Sequence, residues 1–146
     1  VHILLSNPSE LARLRADPGL IEREVEEFLR YQSSVQMGNR RTTQDVEIGG
    51  VAIPADTYLH LSIAGANRDP LEFPDPDRVD IGRTPNRHLA FGAGKHICLG
   101  LTLGRIEAQL VVGQLVKRFP NLCQLDDPVQ QGRARFRGFN AYRVAV

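Results

Sequence analysis

Between Asn67 and Ile97 the chain shows neither helical nor strand periodicity, and prolines stand at positions 70, 74, 76 and 85. Proline lacks the backbone N–H and fixes φ, so no helix interior or central strand can run through this passage. An irregular segment this long is characteristic of a functional or a disordered stretch. If it is ordered, its backbone polar groups need partners from elsewhere. The fold therefore has to be built from the flanking segments, and these have to hold the passage.

Upstream, Asn7-Pro8-Ser9-Glu10 supplies a cap residue, a proline at the first helical position and an early carboxylate, which predicts a helix over 8–16 closed by Pro18-Gly19. Ile21, Val25, Phe28 and Leu29 recur at helical spacing over 20–31. Val46 and Ile48, then Val51 and Ile53, alternate about Gly49-Gly50, and alternation resumes over 57–63, which gives a small antiparallel sheet. Downstream, Leu103, Ile106, Leu110 and Val111 restore helical periodicity over 99–118, and Phe119-Pro120 stops it. Aromatic and β-branched residues over 136–146 predict a final hairpin. The expected fold is mainly α with small antiparallel β-sheets, an α+β chain in which residues 1–146 form one unit. Val1 leads directly into an apolar-to-helical pattern with no leader, which reads as a cut start.

Charge and cysteine content narrow the function. The 18 basic and 17 acidic residues leave a formal charge of +1 and are spread along the chain, so nothing marks a nucleic-acid surface. No apolar run approaches the ~20 residues of a membrane span, and no charged n-region followed by an apolar h-region marks a signal peptide in the sequence. Cys98 and Cys123 fit no zinc spacing and no disulfide framework, which favours a reducing, cytoplasmic setting. Small molecules are the expected partners.

The irregular passage ends in HLAFGAGKHICLG, residues 88–100. A dinucleotide loop would need glycine at 97, where isoleucine stands; a phosphate loop would need glycine at 89 and serine or threonine at 96, where leucine and histidine stand. What remains is Cys98 entering a helix, where unpaired amides and the helix dipole favour a thiolate. A thiolate is either a nucleophile or a metal ligand. A nucleophile needs a base; His96 is close in sequence, whereas a catalytic histidine usually comes from elsewhere in the fold, and His2, His60 and His88 carry no local protease signature. A ligand accounts for the glycines: Gly92 and Gly94 let the backbone fold tightly beneath a flat cofactor, and Gly100 lets amides approach the sulfur.

Phe91 to Gly100, FGAGKHICLG, resembles the haem-binding signature of the cytochrome P-450 family, F-G-x-G-x-[HR]-x-C-x-G, at every defining position. Glu27-Phe28-Leu29-Arg30 is similar to the family's E-x-x-R helix motif. Phe73-Pro74-Asp75-Pro76-Asp77-Arg78 resembles its proline-rich passage, whose arginine completes a Glu-Arg-Arg network. The resemblance covers essentially all 146 residues and is strongest to soluble bacterial members. It corresponds to the C-terminal portion of the family's fold, which would be incomplete here, with the haem-binding loop at 91–100.

The resemblance implies that Cys98 supplies the axial thiolate to the iron of haem (iron protoporphyrin). Phe91 would lie beside it, Gly92 and Gly94 would shape the loop, and amides around Leu99 and Gly100 would donate to the sulfur. His96 and Arg40 would meet the haem propionates. Glu27, Arg30 and Arg78 would form a buried structural network. Thiolate ligation pushes electron density to iron and favours O–O cleavage. The implied function is a monooxygenase acting on O2 and a small organic substrate, with electrons from a donor such as ferredoxin and its reductase, toward which Lys95 and Arg105 would present charge. No catalytic residue is assignable within the segment, and neither the substrate nor a role for His88 is readable. The apolar stripes of the helices at 8–16, 20–31 and 99–118 would lack packing partners. An inactive truncated remnant of such an enzyme is the alternative, and a cysteine hydrolase the more distant one.

Overall fold

The computed structural model describes residues 1–146. Three helices open the chain: α1 (His2–Leu5), α2 (Pro8–Ala16) and α3 (Ile21–Tyr31). The cap expected from Asn7 is not made. Its side-chain amide instead donates back to the Ile3 carbonyl at 2.7 Å, closing α1, while Pro8 opens α2 without needing a donor. A 3-10 turn at Pro18–Leu20 then sets up α3, with the Asp17 carboxylate accepting from the Gly19 amide at 3.0 Å.

A bent antiparallel ribbon follows. Its outer ladder pairs β1 (Met37–Arg41) with β4 (Tyr58–Ser62), and its inner ladder pairs β2 (Val46–Ile48) with β3 (Val51–Ile53) across the Gly49-Gly50 turn. The expected sheet thus exists, but β1 was not readable from MGNRR, which has no apolar alternation; only its partner β4 defines it. Arg40 lies on this strand opposite Leu59. One further turn of helix, α4 (Ile63–Ala66), leads into the irregular passage, and the long helix α5 (Leu101–Arg118) leaves it. The end of the chain differs from the expected 136–146 hairpin: β5 (Cys123–Gln124) pairs with β8 (Val144–Ala145), and β6 (Val129–Gln130) with β7 (Phe139–Ala141). Each late strand reaches back to an earlier one, a pairing that local alternation does not encode.

The core gathers Ile3 and Leu4 of α1, Leu11 and Leu14 of α2, Val79 and Ile81 of the irregular passage, and Val112 of α5. The passage is therefore packed, not loose, and Phe73 is buried with it. The expectation of uncovered helices holds for α5 alone. Val25 of α3 and the two leucines of α2 are buried, whereas Leu103, Ile106, Leu110 and Val111 are each roughly half exposed, between 47% and 61%. On α3 polar residues are buried along with Val25: Glu24, Glu27 and Arg30 are all inaccessible to solvent. Neither oxygen of Glu24 has a hydrogen-bond partner. Burial pushes its carboxyl up to about 7, only partly offset by the positive chain terminus. No helix is long and apolar enough to cross a membrane.

Candidate functional site

The irregular passage is held by two guanidinium groups that converge on one carboxylate. Arg30 Nε and Nη2 each donate to Glu27 at 2.8 Å, a bidentate pair with both side chains wholly buried. Arg30 also donates to the carbonyls of Asn67 (2.9 Å), Pro76 (2.8 Å) and Arg78 (3.2 Å). Backbone acceptors that no ladder can satisfy are thus satisfied by a cation, and Glu27 compensates its charge.

The third member of the network, and its second cation, is Arg83, a correction to the expected Arg78. The Arg83 Nε lies 3.2 and 3.3 Å from the two Glu27 oxygens, and its other nitrogens donate to the carbonyls of Pro74, Asp75 and Arg78. The Arg78 side chain is instead 67% exposed and pairs with Asp80 at 3.2 Å; only its carbonyl joins the network. Two residues of the passage complete the Glu27 shell, the Asp80 amide at 2.9 Å and the Asn86 side-chain amide at 3.1 Å. Arg78 and Arg83 lie five residues apart in an aperiodic stretch, so spacing alone does not say which one turns inward.

Beyond this anchor lies the cysteine loop. Gly92 (φ 72°) and Gly94 (φ 66°) take left-handed conformations that residues with a Cβ adopt only under strain. They reverse the chain so that the Cys98 amide donates to the Phe91 carbonyl at 2.8 Å. A 3-10 turn at Gly94–His96 precedes Cys98, and α5 begins three residues after it, later than the sequence periodicity implies. The exposed Cys98 stands at a cleft of about 400 Å³ whose lining includes Arg40, Phe91, Gly92 and His96, together with Leu29 and Ile63.

Five of the expected cofactor residues thus share one cleft, and three do not line it. Gly94 and Gly100 are exposed outside the lining, and Leu99 is fully exposed to solvent. The amides of Leu99 and Gly100 donate to no other group of the chain, and a Cβ added at Gly100 would come within 3.9 Å of the Cys98 sulfur. The site therefore offers one soft sulfur ligand, free amides beside it, an apolar wall, and Arg40 and His96 among its lining. No group of three ligating side chains exists that could hold a metal ion unaided. A metal at Cys98 would need its other coordination positions filled from outside the chain, as a planar macrocycle does.

The α5 cation is engaged rather than free. Glu26 accepts two bonds from Arg105, at 2.6 and 2.8 Å, and one from His88 at 3.1 Å. Burial alone would raise the Glu26 carboxyl, but these hydrogen bonds and the adjacent positive charge outweigh it and hold it at about 2. Lys95 keeps the exposed position expected of a steering charge; Arg105 does not. Motif reading missed this cluster because its members, at 26, 88 and 105, belong to three separate segments.

Residues 15–135 match the family model for Cytochrome P450. The chain is 47% identical over 123 residues to the biotin biosynthesis cytochrome P450 of Bacillus subtilis (strain 168), a match covering 84% of this chain and 31% of that protein. It is 39% identical over 148 residues to 6-deoxyerythronolide B hydroxylase of Saccharopolyspora erythraea, covering 99% of this chain and 37% of that one. Among solved structures, P450BioI in complex with an acyl carrier protein ligated to hexadec-9Z-enoic acid superimposes with a TM-score of 0.95 at 42% identity, over 97% of this chain and 37% of that one. Streptomyces peucetius CYP105P2 in complex with a biphenyl compound does so at 0.95 and 41%, over 99% and 38%. The chain spans about a third of the length of these relatives and has the corresponding part of their fold. It belongs to the cytochrome P450 family.

Proposed function

We propose that this chain is the thiolate-side portion of a haem monooxygenase, with Cys98 as the axial ligand of the haem iron. The observation that carries the reading is the Cys98 sulfur at the mouth of an apolar cleft, with unpaired amides of Leu99 and Gly100 beside it and Arg40 and His96 at its rim. Haem bound there would supply oxygen activation for the oxidation of a small organic substrate, with electrons from a ferredoxin-type donor.

The residues divide the work. The two amides stabilise negative charge on the sulfur and temper how strongly it donates, as hydrogen bonds to a metal-bound thiolate do. Gly92 keeps the loop low, so that a flat macrocycle can approach the sulfur without meeting a side chain. Phe91 and Ile63 exclude water from the face they line, and Arg40 and His96 orient the ring through its carboxylates. The chain contributes ligation and orientation; no proton donor to oxygen is assigned among its residues. The reading places the whole of residues 1–146 in one unit on the cysteine side of the cofactor, in a protein of the cytoplasm.

The test exchanges these residues for the matching third of the Bacillus subtilis relative. The ferrous carbon monoxide complex of that chimera should show the strongly red-shifted Soret band of thiolate ligation, and Cys98→His should abolish it. An unchanged band in Cys98→His would assign the ligand elsewhere.

A further inference from the structure

Three linked side chains from three separate segments stand next to the cysteine loop, and two of them, Arg105 and His88, lie against the Phe91 ring. Glu26 stands on α3, one residue before the Glu27 that anchors the irregular passage. Arg105 stands on α5 and grips Glu26 in a fork of 2.6 and 2.8 Å. The Arg105 guanidinium also lies 4.8 Å from the centre of the Phe91 ring, within cation–π range. His88 is nearly inaccessible, at 2% side-chain exposure, and its ring lies 6.2 Å from the same phenyl group. Gly104 of α5 also lies against the ring, where an added Cβ would come within 3.7 Å of Phe91.

The hydrogen bonds fix the state of His88 as well as its place. The Ala90 amide donates to Nδ1 at 3.2 Å, so that nitrogen carries no proton. The ring proton is then on Nε2, which donates to Glu26 at 3.1 Å. Glu26 thus ties the helix before the irregular passage to the helix after the cysteine, and through His88 to the backbone at Ala90. Phe91, the ring these groups contact, is the residue whose carbonyl receives the Cys98 amide at 2.8 Å.

We infer that Glu26, His88 and Arg105 are positioning residues for Cys98, clamping Phe91 so that its carbonyl fixes the peptide carrying the thiolate. The inference deepens the reading of Cys98 as the haem ligand and rests on it. It gives His88 a task that no sequence motif assigns, and it explains why the Arg105 charge is held by Glu26 rather than left free for a partner. Groups that orient a metal ligand act through geometry, and losing one loosens the ligand without removing it.

The experiment is amide hydrogen exchange on the 146-residue chain itself, without haem, for the wild type, Glu26→Ala, Arg105→Ala, the double variant and Arg105→Lys. The amides of Ala90 and Cys98 should exchange about 10- to 100-fold faster in either alanine variant, the effect of losing a charge-assisted hydrogen bond on a local opening. The double variant should be no faster than the singles, and Arg105→Lys, which keeps the charge without the fork, should be intermediate. The β1–β4 ladder should not change. Wild-type exchange at Cys98 in Glu26→Ala, or acceleration spread equally over the whole chain, would overturn the clamp. In the haem-loaded chimera, Glu26→Ala should lower the share of the red-shifted band, whereas absence of that band before any substitution would refute the haem reading and leave the exchange result to decide the clamp.

Discussion

Glu24 and Glu27 lie one turn apart on α3 with no solvent access, and they have opposite electrostatic fates. Glu27 accepts from two guanidinium groups, a backbone amide and an asparagine side chain, whereas Glu24 accepts from nothing. Burial without partners favours the neutral acid, so Glu24 titrates at about 7 in the fold against an ordinary value of 4.5. A carboxyl whose folded pKa is raised binds its proton more tightly in the native state, so its stability contribution is greatest below pH 4.5. That contribution is lost progressively as pH rises to about 7, and the loss then levels off at roughly 3 kcal/mol. Whatever Glu24→Leu gains by packing is the same at every pH. Urea unfolding should therefore show the variant gaining roughly 2 kcal/mol more over the wild type at pH 8 than at pH 5. An equal gain at both pH values would mean that Glu24 is solvated in the folded chain. Glu26 behaves in the opposite sense: held at about 2, its stabilisation is complete above its ordinary 4.5 and fades as pH falls toward 2.

At the scale of elements, what distinguishes this chain is that its least regular segment is among its best anchored. Val79 and Ile81 enter the core, and at least five backbone carbonyls or amides of the passage are met by the charged side chains of Arg30, Arg83 and Glu27. Removing Arg83 would leave part of a buried carboxylate and several carbonyls unmatched, at a cost of ~3–5 kcal/mol, whereas Arg78→Ala deletes an exposed pair worth at most ~1 kcal/mol. Urea midpoints of Arg83→Ala and Arg78→Ala should differ accordingly; equal losses would contradict the network as drawn. Helices α2, α3 and α5 and the Gly49-Gly50 turn were legible because each rests on local periodicity or local backbone conformation. The cysteine loop was legible as a motif, every position of which the sequence displays. What could not be read depends on partners distant in the chain: β1 needs β4, the terminal strands pair backward, Asn7 caps the preceding helix, and the inward-facing arginine is chosen by the shape of the passage. The clamp of Glu26, His88 and Arg105 is of the same kind, since 62 and 79 residues separate its members from Glu26.

At the scale of the whole molecule, the balance of buried and exposed apolar surface governs what these 146 residues can do by themselves. Only 15 residues are buried, and α5 leaves Leu103, Ile106, Leu110 and Val111 open beside the cysteine loop, with Leu99 fully exposed ahead of them. A contiguous apolar stripe of this kind promotes association in water. The same geometry limits cofactor retention. Cofactor sites typically bury ~70–90% of their ligand, while the cleft at Cys98 offers one face and part of a rim. One sulfur ligand with Arg40 and His96 beside it can orient a haem but cannot shield its far face from water. The 146-residue chain reconstituted with haem should therefore bind it weakly and without a uniform thiolate-type spectrum, and should elute from a sizing column as a concentration-dependent oligomer. Replacing Leu103, Ile106 and Leu110 together by glutamine should return it toward the monomer without strengthening haem binding. In the Bacillus subtilis chimera, where the same residues sit within a chain of the relative's length, haem should be retained stoichiometrically. Stoichiometric haem with a substrate-responsive spin state in the short chain alone would overturn the argument, because it would show that one walled face suffices.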